Sequence, residues 1–192
     1  PEIPEVKKGL NFLSIIDFVR AKARLAIKLN AVLPVLEKGH LLEWNKARHP
    51  LLVFSFQKSG KTVIPLDIKM NHGQRILIIS GPNAGGKSAT LKTVGLLQYM
   101  LQCGLLIPVQ EGSKTGVFKN IFIDIGDEQS LENDLSTYSS HLTNMHHFLK
   151  FADKNTLLLI DEFGTGTEPQ YGAAVAEAIL EELNKKESFG II

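Results

Sequence analysis

The chain has 192 residues, and its 21 lysines and arginines nearly balance 20 aspartates and glutamates, for a formal net charge of +1 at pH 7. This balance argues against a protein that coats nucleic acid over its whole surface, although a local basic patch is compatible with it. The length and the 44% hydrophobic content suit one substantial core. The single cysteine, Cys103, excludes an internal disulfide, and we expect its thiol to be buried at a helix end.

Features that would place the chain at a membrane are missing from the sequence. It contains no apolar run long enough to span a bilayer and no visible signal peptide, so we expect a cytoplasmic protein without membrane association. The chain starts at Pro1 without a methionine, and residues 189–192, Phe-Gly-Ile-Ile, resemble the first half of a buried strand. We therefore expect a piece of a longer protein.

The first 34 residues carry apolar side chains at three- and four-residue spacing, which predicts a helix that Pro34 ends. The residues that define this spacing are Phe12, Ile15, Ile16, Val19, Ala23 and Ala26. Such a helix either packs within its own domain or forms a stem that leads to an upstream domain. We assign residues 1–40 to this helical segment and residues 41–192 to a second domain.

From about Leu41 the pattern changes to short strands. Residues 51–56 and 62–66 flank a Gln-Lys-Ser-Gly turn and predict a hairpin. Residues 75–80 are almost continuously apolar, which predicts a strand buried on both faces. Beyond them helices and strands alternate, with a helix over 87–103, a strand over 121–125, a helix over 140–152, a strand over 156–160 and a helix over 172–184. This alternation predicts an α/β fold with a mainly parallel sheet flanked by helices and right-handed crossovers.

Residues 81–88, Gly-Pro-Asn-Ala-Gly-Gly-Lys-Ser, match the G-x-x-x-x-G-K-[ST] pattern at every defined position. They follow a predicted buried strand and open a predicted helix, which favours a phosphate site over a plain glycine-rich turn. Backbone N–H groups and the helix N-terminus would hold the phosphates of ATP. Lys87 would reach the β- and γ-phosphates, and the Ser88 hydroxyl would bind Mg²⁺. The predicted ATP-binding residues here are Gly81, Pro82, Asn83, Ala84, Gly85, Gly86, Lys87, Ser88 and Ala89.

Two carboxylates, Asp161 and Glu162, follow the apolar run Leu-Leu-Leu-Ile at residues 157–160. They therefore stand at the carboxyl end of a predicted strand, where the ligands of open α/β sheets bind. Asp161 is predicted to hold Mg²⁺, mostly through water, and Glu162 to polarise the attacking water as a general base. An acidic strand end is often only a solvated turn, but beside a complete phosphate loop the pair favours ATP hydrolysis over transfer to a small acceptor.

A serine-rich stretch, Leu-Ser-Thr-Tyr-Ser-Ser-His-Leu at residues 135–142, opens another predicted helix. Hydroxyl and N–H groups at a helix start form either an anion site or an ordinary helix cap. In ATPases of the ABC type, a second anion site binds the nucleotide of a facing subunit. The stretch therefore indicates a P-loop NTPase of ABC-ATPase type, in which ATP lies between two copies of the chain.

These motifs resemble the MutS family, and within it most closely the type-two branch of bacterial proteins linked to recombination suppression and ribosome rescue. The resemblance covers the chain from about residue 41 and, more weakly, the first 40 residues, which fit the base of the family's lever and clamp helices. Besides the phosphate loop and the serine-rich stretch, the matching segments are Asp-Ile-Gly-Asp-Glu-Gln-Ser at 124–130, Asp-Glu-Phe-Gly-Thr-Gly-Thr-Glu-Pro at 161–169, Arg48-His49-Pro50 and Gly-Leu-Leu-Ile-Pro at 104–108.

The resemblance implies roles for further residues. Ser136 would act in catalysis by contacting the γ-phosphate of the partner's ATP, and losing one such donor typically costs about 10²–10³ in rate. Asn83 would lie near the γ-phosphate, and residues 164–167 would cross the dimer interface. Mismatch-repair relatives stack an aromatic side chain on adenine where this chain has Val63 and Ile64, so we expect weak, apolar base contacts.

Two other segments carry expectations. Residues 104–108 form either a loop that senses nucleotide or a plain turn, and the family's switch histidine would follow the end of the chain. His141, His146 and His147 are expected to face solvent rather than bind a metal, because their spacing does not put all three on one helical face.

The function implied by the resemblance is ATP hydrolysis between two subunits, which moves a clamp that grips nucleic acid. The partner would be DNA, in the control of recombination or repair, or the ribosome. Two alternatives stay open. One is a nucleotide-gated dimerisation module with negligible hydrolysis. The other is a structural-maintenance or transporter-type ABC ATPase, although the sequence lacks the Leu-Ser-Gly-Gly-Gln signature of those proteins.

Overall fold

The chain is described by a computed structural model, over residues 3–81, 85–126, 134–161 and 168–192, with the side chains of residues 58, 134–138 and 169 excepted. Helices and strands alternate over much of this length. In chain order the elements are α1 (Ile3–Leu29), β1 (Val35–Leu36), β2 (Leu42–Ala47), α2 (Pro50–Ser59), β3 (Leu66–Met70), β4 (Ile76–Leu77), α3 (Lys87–Gln102), β5 (Lys114–Thr115), β6 (Asn120–Asp124), α4 (Asp134–Phe151), β7 (Thr156–Ile160), α5 (Pro169–Lys185) and β8 (Phe189–Ile191).

Strands β4, β8, β7 and β6 form a parallel sheet in that order, so the predicted parallel α/β sheet is confirmed. β7 is an inner strand and is buried over its whole length. Leu157 and Leu159 enter a core shared with α3, whereas Leu158 and Ile160 enter a second core shared with α4 and α5. Successive side chains of a strand point to opposite faces of the sheet. Because helices cover both faces of β7, every residue of this strand is buried, which explains its unbroken apolar run.

The helix α3 confirms the helix predicted after the phosphate loop. Its Leu91, Val94 and Leu97 are almost fully buried, at the spacing that places them on one helical face. Gly95 allows α3 to approach β7 closely, because a Cβ at this position would lie 2.8 Å from Leu159 Cδ1. The middle of α3 therefore packs closely against the sheet.

The prediction of a buried Cys103 is wrong. The residue is the C-cap of α3 and is exposed. The helix ends at Gln102, and Gly104 follows with a φ of 75°, so the chain turns at the surface before the thiol can enter the core.

The second sheet has the order β1-β5-β2-β3 and is mostly antiparallel. β2 and β3 pair with an irregularity between Trp44 and Ala47. Trp44, Ile68 and Met70 contribute to the same core as α3, so this sheet supports the helix that carries the phosphate loop. Residues 35–36, from the segment predicted as a helical stem, pair with β5 and complete this sheet.

The hairpin predicted over residues 51–56 and 62–66 is wrong, because residues 51–56 belong to the helix α2. Pro50 lies in its first turn, and Gly60 follows its last residue with a left-handed φ of 67°. Proline at the start and glycine after the end are typical helix boundaries. These boundary signals outweigh the apolar pattern that favoured a strand.

The strand predicted over residues 75–80 is shorter than expected and is not buried on both faces. β4 covers only Ile76–Leu77, is partly buried, and has β8 as its one neighbour among the described strands. Ile78, directly after it, is 64% exposed. A strand at a sheet edge buries less side-chain area than a central one, although its apolar sequence looks the same.

The helix α1 confirms the predicted N-terminal helix, but it ends at Leu29, before Pro34. Ala26 and Leu29 at its end are buried. The apolar side chains of the earlier turns, including Phe12, Ile15, Ile16 and Val19, are exposed. The predicted apolar stripe is therefore exposed from Phe12 to Val19 and buried only toward the end of the helix, at Ala26.

The end of α1 is attached to the segment that follows α3. Val32 and Ile107 form an antiparallel bridge, and the Lys22 ammonium donates a hydrogen bond to the Gly104 carbonyl at 3.2 Å. The two ends of α3 thus meet different partners, the phosphate loop at one and α1 at the other. No helix over the described ranges is long and apolar enough to cross a membrane.

Candidate nucleotide-binding site

The phosphate loop connects β4 to α3. Gly86 is the N-cap of α3 with a left-handed φ of 85°, which side chains rarely tolerate. The Lys87 Nζ donates a hydrogen bond to the Gly81 carbonyl at 2.7 Å and so closes the loop. The first N–H groups of a helix have no acceptor within the helix, and its dipole is positive at this end. This end of α3 is therefore suited to an anion such as phosphate.

The structure describes six of the nine predicted phosphate-binding residues, Gly81 and residues 85–89. The other three, Pro82, Asn83 and Ala84, lie outside the described residues. Lys87 and Ser88 are half-buried in the first turn of α3, and Ala89 is exposed. The Thr90 N–H and Oγ1 both donate to the Gly86 carbonyl, at 2.9 and 3.0 Å, which fixes the glycine to the helix it precedes.

Asp161 lies directly after β7 and is 7% exposed. Its N–H donates to the Asp124 carbonyl at 2.8 Å, which extends the β6–β7 pairing by one residue. β8 separates β7 from β4, so two strand spacings, about 10 Å, lie between the strand of Asp161 and the strand before the phosphate loop. The carboxyl ends of these parallel strands lie at one edge of the sheet, so Asp161 and the phosphate loop share that edge. Glu162 lies outside the described residues.

The donor atoms that the two segments offer at this edge fit magnesium. The Ser88 hydroxyl and the Asp161 carboxylate are hard oxygen donors, which Mg²⁺ prefers. Over the described ranges no group of three or more His, Cys, Asp or Glu could hold a metal. A magnesium ion that is bound with a nucleotide needs only one or two protein ligands, because phosphate oxygens and waters supply the rest.

A cavity of about 350 Å³ opens beside the phosphate loop. Gly85, Gly86 and Ala89 line one part of it, and Val63 and Ile64 line another. Val63 packs partly against the core, whereas Ile64 is 90% exposed. The volume lies in the range of small-ligand pockets, and the cavity adjoins the helix end at which phosphates would bind.

Two aromatic side chains that line this cavity were not predicted from the sequence. Phe56 from α2 and His49, the N-cap of α2, both line it. The His49 Nδ1 is buried and has no hydrogen-bond partner among the described groups. Burial, followed by the charge of Lys92, lowers the pKa of His49 below its usual 6.5, so the ring is neutral at pH 7. Pro50 signalled the helix that brings both rings here, but residues 51–56 were interpreted as a strand.

A buried polar cluster at the carboxyl end of β6 was also missed. Asp124 is 6% exposed, its Oδ2 lies 2.7 Å from the His141 Nδ1, and its Oδ1 accepts a hydrogen bond from the Asn144 Nδ2 at 2.8 Å. The prediction that His141 faces solvent is therefore wrong, because α4 presents it to a buried carboxylate together with Asn144, three residues along. His146 and His147 are exposed, as predicted.

The helix α4 begins at Asp134, six residues before its predicted start. Ser136 therefore lies in the first helical turn, which agrees with a serine-rich stretch that opens a helix, while its side chain lies outside the described residues. Residues 164–167, predicted to cross a dimer interface, also lie outside them.

A glycine-rich loop at a helix N-terminus and a buried acidic residue at the end of a nearby parallel strand define a P-loop nucleotide-binding α/β domain. Comparison with known proteins places the chain within this class. Residues 77–192 match the family model of MutS domain V. The chain therefore belongs to the MutS family.

The curated relatives belong to the MutS2 branch. Proteins named "Endonuclease MutS2" are 48% identical over 187 residues in Lactobacillus helveticus, 47% over 186 residues in Acetivibrio thermocellus and 46% over 185 residues in Enterococcus faecalis. These alignments cover 97%, 97% and 96% of this chain but 23% of each relative. The chain thus spans about a quarter of the length of these proteins.

Proposed function

We propose that this chain binds ATP with Mg²⁺ and hydrolyses it, as the ATPase module of a MutS-like protein. One observation carries the proposal: Lys87 closes the loop over Gly81 at the start of a firmly packed helix, directly beside a cavity lined by Val63 and Ile64. Phosphates would bind at the helix end, and the base would enter the cavity.

At the phosphate end, different residues of the chain have different roles in binding and hydrolysis. Lys87 and the N–H groups of the phosphate loop donate charge-assisted hydrogen bonds to phosphate oxygens. Ser88 and Asp161 hold the magnesium ion, which when bound neutralises phosphate charge. Glu162 accepts a proton from the attacking water. These roles combine the sequence motifs with the half-buried Ser88 and the buried Asp161.

At the base end, we propose that Phe56 stacks against the adenine and that the neutral His49 donates or accepts one hydrogen bond. The unpartnered, buried Nδ1 of His49 supports a polar contact, since buried polar atoms normally have a partner. Base contacts would then be stronger than Val63 and Ile64 alone would provide.

We also propose that two copies of the chain enclose ATP in the ABC manner, with Ser136 of one copy at the γ-phosphate of the other. The position of Ser136 in the first turn of α4 supports this arrangement, because a helix start attracts anions. Movement of α3 would reach α1 through Gly104 and Ile107, which attach α1 to the end of α3. The predicted stem, residues 1–40, would thus link the module of residues 41–192 to a clamp on DNA or the ribosome in the cytoplasm.

ATP turnover and sedimentation in the presence of ATP and Mg²⁺ test this function. Wild-type chain is expected to associate and release phosphate, Glu162→Gln to associate without turnover, and Ser136→Ala to lose association. Glu177→Gln, exposed on α5, and Ser14→Ala, exposed on α1, are matched controls that should behave like the wild type. A chain that binds ATP but stays monomeric, with Ser136→Ala unchanged, would contradict the two-copy arrangement and leave nucleotide binding intact.

A nucleotide-gated dimerisation module, in which ATP binding matters and hydrolysis is negligible, is the second candidate function. In that case ATP would drive association, but wild type and Glu162→Gln would show the same negligible turnover. Comparing these two chains therefore distinguishes the candidates directly.

A further inference from the structure

We propose that Asp124 is a positioning residue that couples the metal-binding side of the ATP site to the helix that serves the partner's ATP. This inference rests on the proposed function and deepens it, because it assigns a physical link between Asp161 and Ser136. Asp124 itself would contact neither nucleotide.

The link consists of three hydrogen bonds from one residue. The backbone carbonyl of Asp124 accepts from the Asp161 N–H at 2.8 Å. Its carboxylate contacts the His141 Nδ1 at 2.7 Å and the Asn144 Nδ2 at 2.8 Å, both on α4. The main chain of Asp124 therefore fixes the end of β7, while its side chain fixes α4.

Burial makes this link stiff. Asp124 is 6% exposed, and a buried carboxylate is costly unless its oxygen atoms are satisfied. Both of its oxygen atoms have a donor on α4, so a shift or rotation of that helix would leave a buried charge with fewer partners. The His141 ring also lies against the chain after β6, since a Cβ on Gly126 would be 3.6 Å from its Cε1 and Nε2.

The link acts close to the predicted trans donor. Ser136 precedes His141 by five residues of the same helix, which is about 7.5 Å along the helix axis. A misplacement of about 1 Å in a catalytic group can cost on the order of 10²-fold in rate. Holding His141 therefore holds the first turn of α4 at the precision that a γ-phosphate contact requires.

Substitution of His141 tests the link. His141→Ala is expected to bind ATP within about twofold of wild type while ATP-driven association weakens and kcat falls by about 10- to 100-fold. His141→Asn should recover most of the loss, because an asparagine amide can place a donor where the Nδ1 stood. His146→Ala, exposed on the same helix, is the matched control and should keep full activity.

The measurements are ATP affinity by titration calorimetry, sedimentation with ATP and Mg²⁺, steady-state phosphate release, and amide hydrogen exchange in the first turn of α4. Exchange there should accelerate in His141→Ala and slow again in His141→Asn. If His141→Ala does not fold, Asn144→Ala is measured the same way, with a smaller loss of kcat expected. Circular-dichroism melting establishes folding for each variant.

A folded His141→Ala chain with wild-type association and turnover overturns the coupling but leaves the proposed function standing. Failure of His141→Asn to recover activity overturns the role of the hydrogen bond, and so does an Asn144→Ala chain with unchanged kcat. If the wild type does not bind ATP, the proposed function fails and the coupling fails with it.

Discussion

The phosphate loop of the candidate site is a single short segment that opens one helix, whereas the base end is assembled from α2 with its N-cap and the segment after it. At the phosphate end, Gly86 and Lys87 belong to one loop and the helix that it opens. At the base end, His49 and Phe56 come from α2 and Val63 from the segment after it. Backbone N–H groups and one lysine dominate the first end, and side-chain rings dominate the second.

This difference has a physical origin. Phosphate recognition uses the geometry of a helix N-terminus, which local sequence can specify by itself. Base recognition needs surfaces on both sides of a flat ring, so it depends on how α2 packs against α3. The two ends should therefore respond differently to substitution and to ligands that carry only phosphate.

The largest expected effect is at the phosphate end. Lys87→Ala should reduce ATP turnover by about 10²–10³-fold, because one charged donor to the developing phosphate charge is lost. It should also abolish competition by inorganic tripolyphosphate, a ligand without a base. Phosphate release and competition against a fluorescent ATP analogue measure both effects.

The matched control for Lys87→Ala is Lys38→Ala, an exposed lysine between β1 and β2, which should behave like the wild type. Tripolyphosphate that still competes with ATP in Lys87→Ala would mean that the phosphate end lies elsewhere.

The second-largest expected effect distinguishes the base end of the site from the phosphate end. Phe56→Ala should weaken ATP binding by about tenfold, within the roughly 1–3 kcal/mol that stacking of a base on an aromatic ring contributes. Tripolyphosphate should bind this variant as it binds the wild type. Phe12→Ala, on the exposed side of α1, serves as the control. Equal losses for ATP and tripolyphosphate would contradict an independent base end.

The smallest effect is a pH dependence of stability at the base end. Burial lowers the pKa of His49 below 6.5, so the unfolded chain binds a proton more readily than the folded chain. Stability should therefore fall as the pH drops through 6.5 toward the lowered pKa, whereas above 6.5 this histidine makes no difference.

His49→Gln should accordingly lose less thermal stability than the wild type between roughly pH 7.5 and 5. A residual slope is expected from His40, whose pKa burial and His72 also lower. Melting temperatures across this range measure the effect, with His146→Gln as the exposed control. An unchanged slope in His49→Gln would show that its ring is not a neutral component of the base end.

Some elements of the fold could be predicted from the sequence, and others could not. The run of apolar residues in β7 and the glycine-rich entry to α3 predicted a parallel sheet and the helix α3 correctly, since both patterns depend on neighbours in the chain. The strand assigned to residues 51–56 failed because a short apolar run fits a strand and a buried helix equally well. His141 was misjudged because its partner, Asp124, lies 17 residues away in the sequence.

The sequence by itself determined the class of the protein, because the phosphate loop, the acidic strand end and the apolar core strand are local patterns whose geometry follows from backbone conformation. Only the tertiary structure decided which rings line the base cavity, that β4 lies at the edge of the described sheet, and that Asp124 joins β7 to α4. Each of these depends on contacts between distant segments, which packing of the whole chain selects and which no local pattern specifies.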